Sequence, residues 1–354
     1  MGVYFNKITS LLDMAGCPNR CKHCWIGHSP NGNLSIKYLK YMADSFSTYT
    51  DNLEIYSWFR EPDFKDNYKE LWDLENKLSK NTKPKRFELL SFWRINRDLE
   101  YVKWAYDIGV NKCQLTFFGL EEKTDYYIGR KGAFKELITA TEILLENNIA
   151  PRWQIFVNKD NLDEILEVIK LSEKMKLKER CLKINNSFEL FIHQGSCDGE
   201  NEKLYDIRIT SDDLYKIPKE FHSLLGIEEK ILFSELLKDT STIDLREEEP
   251  VFYVTKDFDV YPNITSINPW WYLGNLKTDG VKKVLSNYKN NNSLAQKISF
   301  EVPLCKLAEK CGNPNSTRLF SKDDYLIYLL NQYCKNLQFN SIIINLSNKN
   351  RLLS

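Results

Sequence analysis

Three cysteines near the N-terminus, Cys17, Cys21 and Cys24, are separated by three and then two residues. Thiolates at this spacing can bind one small inorganic cluster from a single loop, because cysteine thiolates are the usual ligands of iron–sulfur clusters. A closed site takes four ligands, so three would leave one metal position open for chemistry, as in catalytic zinc sites. The alternative is a structural zinc site in which His23 or His28 supplies the fourth ligand.

The elements that must position this loop alternate between strand and helix patterns over the first 200 residues, with Ser35 as the expected N-cap of the first helix. This order predicts βα units on a parallel sheet. Six units are too few for an eight-fold barrel, so we expect an α/β fold with a partial (β/α)6 TIM-type barrel and an open mouth. The predicted strands are 6–16, 53–58, 87–93, 112–118, 153–157 and 182–192, and the predicted helices are 34–50, 66–80, 98–108, 133–147 and 162–174.

The pattern changes after residue 200, so residues 1–200 are assigned to the barrel. Residues 201–250 predict a linker with a helical segment. Residues 251–354 predict a smaller α+β C-terminal domain, which opens with a hairpin around Lys256-Asp257 and continues with helices at 279–288 and 323–333.

Charge and hydropathy exclude several classes of protein. The 49 Lys and Arg residues balance 49 Asp and Glu residues, so no net charge attracts the chain to nucleic acid or an anionic membrane. No apolar run has the length of a transmembrane helix, and the first residues lack the apolar centre of a signal peptide. The nine cysteines are an odd number, which favours reduced thiols over a disulfide framework. We therefore expect a cytoplasmic protein that binds neither membranes nor nucleic acid.

The Cys-X3-Cys-X2-Cys loop after a first strand resembles the radical S-adenosylmethionine (SAM) superfamily. The resemblance implies that Cys17, Cys21 and Cys24 bind a [4Fe-4S] cluster whose fourth iron binds SAM. His23 stands where the family usually has an aromatic residue that packs near the adenine of SAM.

Further stretches carry the resemblance along the chain. Glu61-Pro62 ends the second predicted strand, where the family has a Gly-Gly-Glu-Pro turn, although both glycines are missing here. The resemblance implies that Glu61 or the backbone near it accepts hydrogen bonds from the SAM ammonium. Thr116 stands in for a serine of a Ser-X-Asp-Gly-like turn near the SAM ribose or carboxylate, but Phe118 replaces the aspartate.

Two more residues are candidates for SAM contact by the same resemblance. Arg130 opens an Arg-X-Gly-X-Phe stretch like that of radical SAM enzymes with SPASM or twitch domains, and it could pair bidentately with the SAM carboxylate. The alternative for Arg130 is an exposed basic loop. Gln154, on the fifth predicted strand, is a weaker candidate.

The C-terminal part resembles a degenerate SPASM or twitch domain. The residue after Tyr261-Pro262, commonly a cysteine in that family, is Asn263 here, so the first auxiliary cluster of the family pattern is expected to be missing. One auxiliary cluster could still be bound by later cysteines, for which the candidates are Cys305, Cys311 and Cys334, with Cys181 or Cys197 as a fourth ligand. The alternative is that these are buried apolar cysteines. Cys197 could instead donate a hydrogen atom to a substrate radical, although a structural role is the alternative.

The resemblance implies an enzyme that reductively cleaves SAM to a 5′-deoxyadenosyl radical and abstracts hydrogen from its substrate. It also implies a flavodoxin- or ferredoxin-type electron donor. The first strand begins almost at the N-terminus, which favours a small-molecule substrate and an oxidation, epimerisation or rearrangement. The first alternative is radical modification of a ribosomally made peptide. The second is a non-catalytic binding module stabilised by zinc or an iron–sulfur cluster.

Overall fold

The computed structural model describes residues 3–12, 17–24, 35–56, 66–83, 89–262 and 267–351. His28, Glu61 and Asn263, which carry predictions from the sequence, lie outside the described residues. The strands are β1 (Phe5–Leu12), β2 (Thr50–Tyr56), β3 (Lys112–Phe117), β4 (Ala150–Phe156), β5 (Glu189–His193), β6 (Ile227–Glu228), β7 (Val251–Val254), β8 (Asp259–Pro262), β9 (Gly274–Asn275) and β10 (Leu319–Phe320).

The α-helices cover the sheets and form most of the C-terminal part. They are α1 (Ile36–Ser47), α2 (Tyr68–Leu78), α3 (Phe92–Ile95), α4 (Leu99–Asp107), α5 (Glu121–Ile128), α6 (Ala133–Glu146), α7 (Ile165–Lys174), α8 (Leu177–Lys183), α9 (Glu229–Leu236), α10 (Val281–Lys289), α11 (Leu294–Glu301), α12 (Leu304–Cys311) and α13 (Lys322–Arg351). Among the described residues, none of these helices combines the length and the apolar character needed to cross a membrane.

Two larger sheets carry the barrel strands. The first has the order β2-β1-β7-β8-β9, in which β1 runs parallel to both β2 and β7 while β7, β8 and β9 are antiparallel. The second has the order β3-β4-β5 and is entirely parallel. The hairpin of β7 and β8 forms where the sequence predicted it, and it extends the sheet that β1 begins. Residues 251–262 therefore share a sheet with the first two strands of the barrel.

Two strand predictions need correction. Residues 89–91 form no strand, and α3 begins at Phe92, because the Ser91 hydroxyl accepts a hydrogen bond from the backbone N–H of Arg94 and caps a helix there. The strand predicted from residue 182 begins only at Glu189. Residues 182 and 183 still belong to α8, which ends where Asn185 adopts a left-handed φ of 55°. The second sheet therefore holds three strands in the described part of the chain.

Most other predicted elements form with small shifts at their ends. The N-cap of α1 is Ser35, whose hydroxyl accepts a hydrogen bond from the backbone N–H of Tyr38 at 3.1 Å. The apolar face of α1 buries Leu39, Met42 and Phe46 against the first sheet. The second sheet packs against α6 on one face, where Phe117 and Trp153 lie in the core. Its other face carries the polar positions of β3 and β4.

Candidate active site

The cysteine loop is fixed by backbone hydrogen bonds to segments that follow the second sheet's strands. The N–H groups of Arg20 and Lys22 donate to the carbonyls of Ile128 and Tyr127, at 2.9 and 2.8 Å, at the end of α5. The carbonyl of Cys24 accepts from the N–H of Glu200, at 2.9 Å, beyond β5. The loop therefore leaves the first sheet at β1 and is held by residues that follow β3 and β5.

A glycine makes the contact between this loop and α5 possible. Gly129 ends α5 in a left-handed conformation with φ of 73°. A side chain there would place its Cβ 2.7 Å from the carbonyl oxygen of Arg20, which is closer than atoms can approach. Glycine therefore satisfies both the backbone conformation and the close approach.

The next residue, Arg130, also holds the loop. Its Nε donates to Oδ1 of Asn19 at 2.9 Å, and its Nη2 lies 2.6 Å from Oε2 of Glu136. The backbone N–H of Asn19 lies 3.4 Å from Sγ of Cys17, within the range for a hydrogen bond to sulfur. Burial alone would raise the pKa of Glu136, but hydrogen bonds from Arg97 and Arg130 outweigh it and hold the pKa below its usual value.

The three cysteines line one cavity of about 540 Å³, between the loop and the second sheet. This volume lies within the usual range for small-molecule and cofactor sites. The cavity wall brings together the predicted cluster ligands with His23, Thr116 and Gln154. The other residues that line it are Asn19, Leu89, Leu90, Phe92, Gln114, Phe118, Ile128, Phe156, His193, Gly195, Ser196 and Asp324.

Polar side chains at alternate positions of β3 and β4 form one wall of the cavity. Thr116 and Gln154 are directly paired across the strands. Oε1 of Gln154 accepts from Nε2 of Gln114 at 2.6 Å and from the hydroxyl of Thr116 at 3.3 Å. Because side chains alternate across a strand, all three amide or hydroxyl groups face the cavity while Leu115 and Phe117 face the helices. The wall therefore offers hydrogen-bonding groups at fixed positions.

An aromatic cluster forms the part of the wall next to the cysteines. The imidazole of His23 packs against Phe118 and Phe156, with ring centroids 4.7 and 4.9 Å apart. Burial and the neighbouring imidazole of His193 lower the pKa of His23 to about 3, so the ring is neutral at pH 7. Its Nδ1 is buried and has no hydrogen-bond partner among the described residues. A neutral ring in a cluster of aromatic residues fits a planar, partly polar group such as a purine.

Several predicted site residues lie elsewhere. Arg130 does not line the cavity, because its guanidinium is engaged by Asn19 and Glu136. Cys197 is 2% exposed and packs in an apolar cluster with residues of the C-terminal helices, where burial raises its pKa to about 12. This placement keeps the thiol of Cys197 off the cavity wall, where Ser196 is found instead. Its role as a hydrogen donor remains a prediction without support from the geometry.

The auxiliary-cluster cysteines do not converge as a group. Cys305 and Cys311 are six positions apart in α12 and therefore point about 120° apart around the helix axis. Cys311 and Cys334 both belong to the packing between α12 and α13, where burial raises their pKa values to about 11 and about 12. The described geometry gives the auxiliary cluster no support.

The zinc alternative has no support among the described residues, which do not include His28. Within the described ranges, no three His, Cys, Asp or Glu side chains come together closely enough to hold a single metal ion. Ligands of one zinc ion at about 2.3 Å stand only ~4 Å from one another. A four-iron cluster is larger and holds its thiolates farther apart than a single ion does.

The structure also adds residues that the sequence did not single out as site residues. Gln114 could have been found from its period-two spacing with Thr116. Phe156 and His193 are the last residues of β4 and β5. Active-site residues of parallel barrels lie at the C-terminal ends of strands, so this position could have identified both from the sequence. Asp324 comes from the first turn of α13, and nothing in its local sequence indicates that it reaches the cavity.

No protein-family model matches the sequence. No curated protein matches it either.

The chain is similar to several solved structures. The chain is similar to native anSMEcpe with bound AdoMet, at 17% identity and a TM-score of 0.54, over 94% of this chain and 99% of that chain. It is similar to native anSMEcpe with bound AdoMet and Kp18Cys peptide, at 17% identity and a TM-score of 0.56, over 95% of this chain and 99% of that one. A third structure, with AdoMet and Cp18Cys peptide, has 17% identity and a TM-score of 0.53 over 94% and 99% of the two chains.

These likenesses show that the chain has the fold of radical SAM proteins with SPASM-type C-terminal domains. The predicted fold class, a partial barrel followed by a smaller C-terminal domain, is confirmed.

Proposed function

We propose that this protein is a radical SAM enzyme that modifies a peptide. One observation carries the first half of the proposal. Cys17, Cys21 and Cys24 line the same cavity as the polar wall of Thr116 and Gln154, on a fold shared with proteins solved with bound AdoMet. Three thiols and a backbone N–H directed at one sulfur form a donor set suited to an iron–sulfur cluster with one open iron.

The chemistry comes from the cofactors and the positioning from the chain. A [4Fe-4S] cluster and SAM, when bound, supply one-electron cleavage of the sulfonium C–S bond to a 5′-deoxyadenosyl radical. Cys17, Cys21 and Cys24 would hold the cluster. Gln154 and Thr116 would bind polar groups of SAM, and His23 would pack near its adenine. Glu61 remains a candidate for the SAM ammonium.

Apolar side chains of the cavity would exclude water from the reaction. Leu89, Leu90, Phe92 and Ile128 line the cavity beside the cysteine loop. A reactive carbon radical requires such a wall, because a dry site prevents side reactions. We assign no hydrogen-donor role to Cys197, because its thiol is buried away from the wall.

A peptide fits the comparisons better than the small molecule expected from the sequence. Two of the structures with the same fold contain a peptide together with AdoMet, and each aligns over 99% of its chain. A small-molecule oxidation or epimerisation has no comparable support. A flavodoxin- or ferredoxin-type protein would supply the electron that cleavage of SAM requires.

Anaerobic reconstitution tests the proposal. We expect brown protein that binds about four irons per chain and forms 5′-deoxyadenosine from SAM after chemical reduction. Cys21→Ala should lose both the iron and the product. Cys113→Ala is the matched control and should retain both, since Cys113 is a buried residue of β3 that packs in the core and does not line the cavity.

Two results would contradict the proposal. Colourless protein that binds zinc would support the metal-stabilised binding module instead. A bound cluster that leaves SAM intact under reduction would exclude radical SAM chemistry.

A further inference from the structure

The C-terminal part of the chain also contributes to the wall of the cavity. Asp324, in the first turn of α13, lines the cavity together with His193 and Ser196 at the end of β5. Ser321 fixes the position of Asp324 by a reciprocal cap. The Ser321 hydroxyl donates to Oδ2 of Asp324 at 2.7 Å and accepts from the Asp324 N–H at 3.2 Å. The carboxylate is therefore held by its own helix turn.

No cation stands opposite this carboxylate in the described structure. None of the described residues that line the cavity is a lysine or an arginine. His193 does not supply a charge at neutral pH, because burial and the charge of Arg208 lower its pKa although Asp324 acts in the opposite direction. Among the described residues, Asp324 makes no salt bridge. Asp324 therefore has no ion-pair partner among the described residues, although the charge of the buried Arg208 acts on it without direct contact.

Arg208 is a buried cation in this region, but its guanidinium donates hydrogen bonds to backbone carbonyls. Its Nε donates to the carbonyl of Leu319 at 2.7 Å and its Nη1 to the carbonyl of Gly195 at 2.9 Å. These bonds join the segment after β5 to the strand before α13. Arg208 thus stabilises the junction that places Asp324 beside His193, and it does not line the cavity.

We propose that Asp324 binds a lysine or arginine side chain of the peptide substrate. The inference rests on the proposed function, because it names the class of side chain that the same cavity accepts. A carboxylate that is fixed in position and has no ion-pair partner among the described residues favours a cationic partner and disfavours an anionic one. The C-terminal helix thereby contributes a specificity determinant to a cavity that the barrel and the cysteine loop otherwise form.

Binding of four synthetic peptides tests this directly. They are Ac-Gly-Ala-Ser-Gly-X-Gly-Ser-Ala-Gly-NH2, with lysine, arginine, norleucine or glutamate at X. The cluster-loaded protein with SAM is titrated with each by calorimetry. Wild type should bind the lysine and arginine peptides at least about ten-fold more tightly than the norleucine peptide, and the glutamate peptide most weakly. Raising the salt concentration should reduce the preference.

Two variants separate recognition from folding. Asp324→Asn keeps a side-chain oxygen for the Ser321 hydroxyl and should bind the lysine and norleucine peptides equally. Asp323→Asn, at the exposed neighbouring position, is the matched control and should keep the preference. Equal binding of the two peptides by wild type, absent binding of all four, or a preserved preference in Asp324→Asn would each overturn the inference.

The proposed function is assessed in the same samples. Iron content and 5′-deoxyadenosine are measured for each protein before titration. Wild type that cleaves SAM but shows no charge preference would refute the role of Asp324 alone. Wild type that prefers the cationic peptides but never forms 5′-deoxyadenosine would refute the radical SAM proposal and leave the recognition site intact.

Discussion

Gln154 in the second sheet and Ser10 in the first are both buried polar residues, but they differ in their hydrogen bonding. In the second sheet, Gln154 is 6% exposed, and its amide oxygen accepts two hydrogen bonds from neighbours that face the cavity. In the first sheet, Ser10 on β1 is fully buried, and its hydroxyl has no partner among the described residues. The first sheet leads the chain to the cysteine loop, but residues after β3 and β5 hold that loop. Among the described residues, the second sheet contributes strand residues to the cavity wall and the first sheet contributes none.

The most damaging change should be Gly129→Ala, at the contact between the loop and α5. Alanine would meet a backbone oxygen at 2.7 Å in a left-handed conformation, so either the loop or α5 must move. We expect about 2–4 kcal/mol of destabilisation and loss of most of the iron after reconstitution. Thermal unfolding and iron analysis measure the two effects.

Gly132→Ala is the matched control for that change. Gly132 also has a positive φ, of 83°, but no atom lies within 4 Å of the position that a Cβ would occupy. Gly132→Ala should lower the free energy of unfolding by only ~1 kcal/mol and leave iron binding intact. If both variants lost iron equally, backbone strain would explain the result and the close contact would not.

The next largest effect should come from Gln154→Leu, on the polar wall. Leucine would leave Nε2 of Gln114 and the Thr116 hydroxyl without their shared acceptor. We expect SAM to bind the cluster-loaded protein about 10–100-fold more weakly, measured by calorimetry.

The control for Gln154→Leu lies on the opposite face of the same sheet. Thr141→Val removes a buried hydroxyl that accepts from Nε1 of Trp153 at 3.1 Å, behind β4. It should lower stability without changing SAM affinity. Equal losses of affinity in both variants would mean that the wall acts only through stability.

A smaller effect concerns pH and the Glu136 carboxylate that anchors Arg130. The pKa of Glu136 is lowered in the folded protein, so its stabilisation is complete above the unfolded value of about 4.5 and is lost as the pH falls through the folded value. Glu136→Gln should cost about 1–2 kcal/mol at pH 7 and remove this part of the acid dependence. Urea unfolding between pH 3 and 7 measures both, at ~1 pH-unit steps. An unchanged pH profile would contradict the role of the ion pair.

The sequence predicts the parts of the site that depend on local spacing. The gaps between Cys17, Cys21 and Cys24 identify the loop, and the alternation along β3 and β4 places Thr116 and Gln154 on one face. Such patterns do not predict which side chains from distant segments of the chain will contact one another. Arg130 was expected in the cavity because of a motif, but the nearby carboxylate of Glu136 and the amide of Asn19 engage it instead.

The strand predicted at residues 87–93 was wrong because a local capping residue was overlooked. The aromatic residues of 87–93 favour a strand, but Ser91 caps a helix at Phe92. Asp324 was not identified at all, since α13 follows the barrel strands by more than a hundred residues and only tertiary packing brings it beside His193. Both Arg130 and Asp324 were misjudged because their surroundings come from segments that are distant along the chain.

The smallest effect should be that of Ser10→Ala, in the first sheet. A buried hydroxyl without a partner contributes its desolvation cost and no compensating hydrogen bond, so its removal should change stability by less than about 0.5 kcal/mol or raise it slightly. Iron binding and SAM affinity should not change, because Ser10 does not line the cavity. Urea unfolding and calorimetry check both. A loss of SAM affinity in Ser10→Ala would place chemistry on the first sheet as well and would remove the asymmetry between the two.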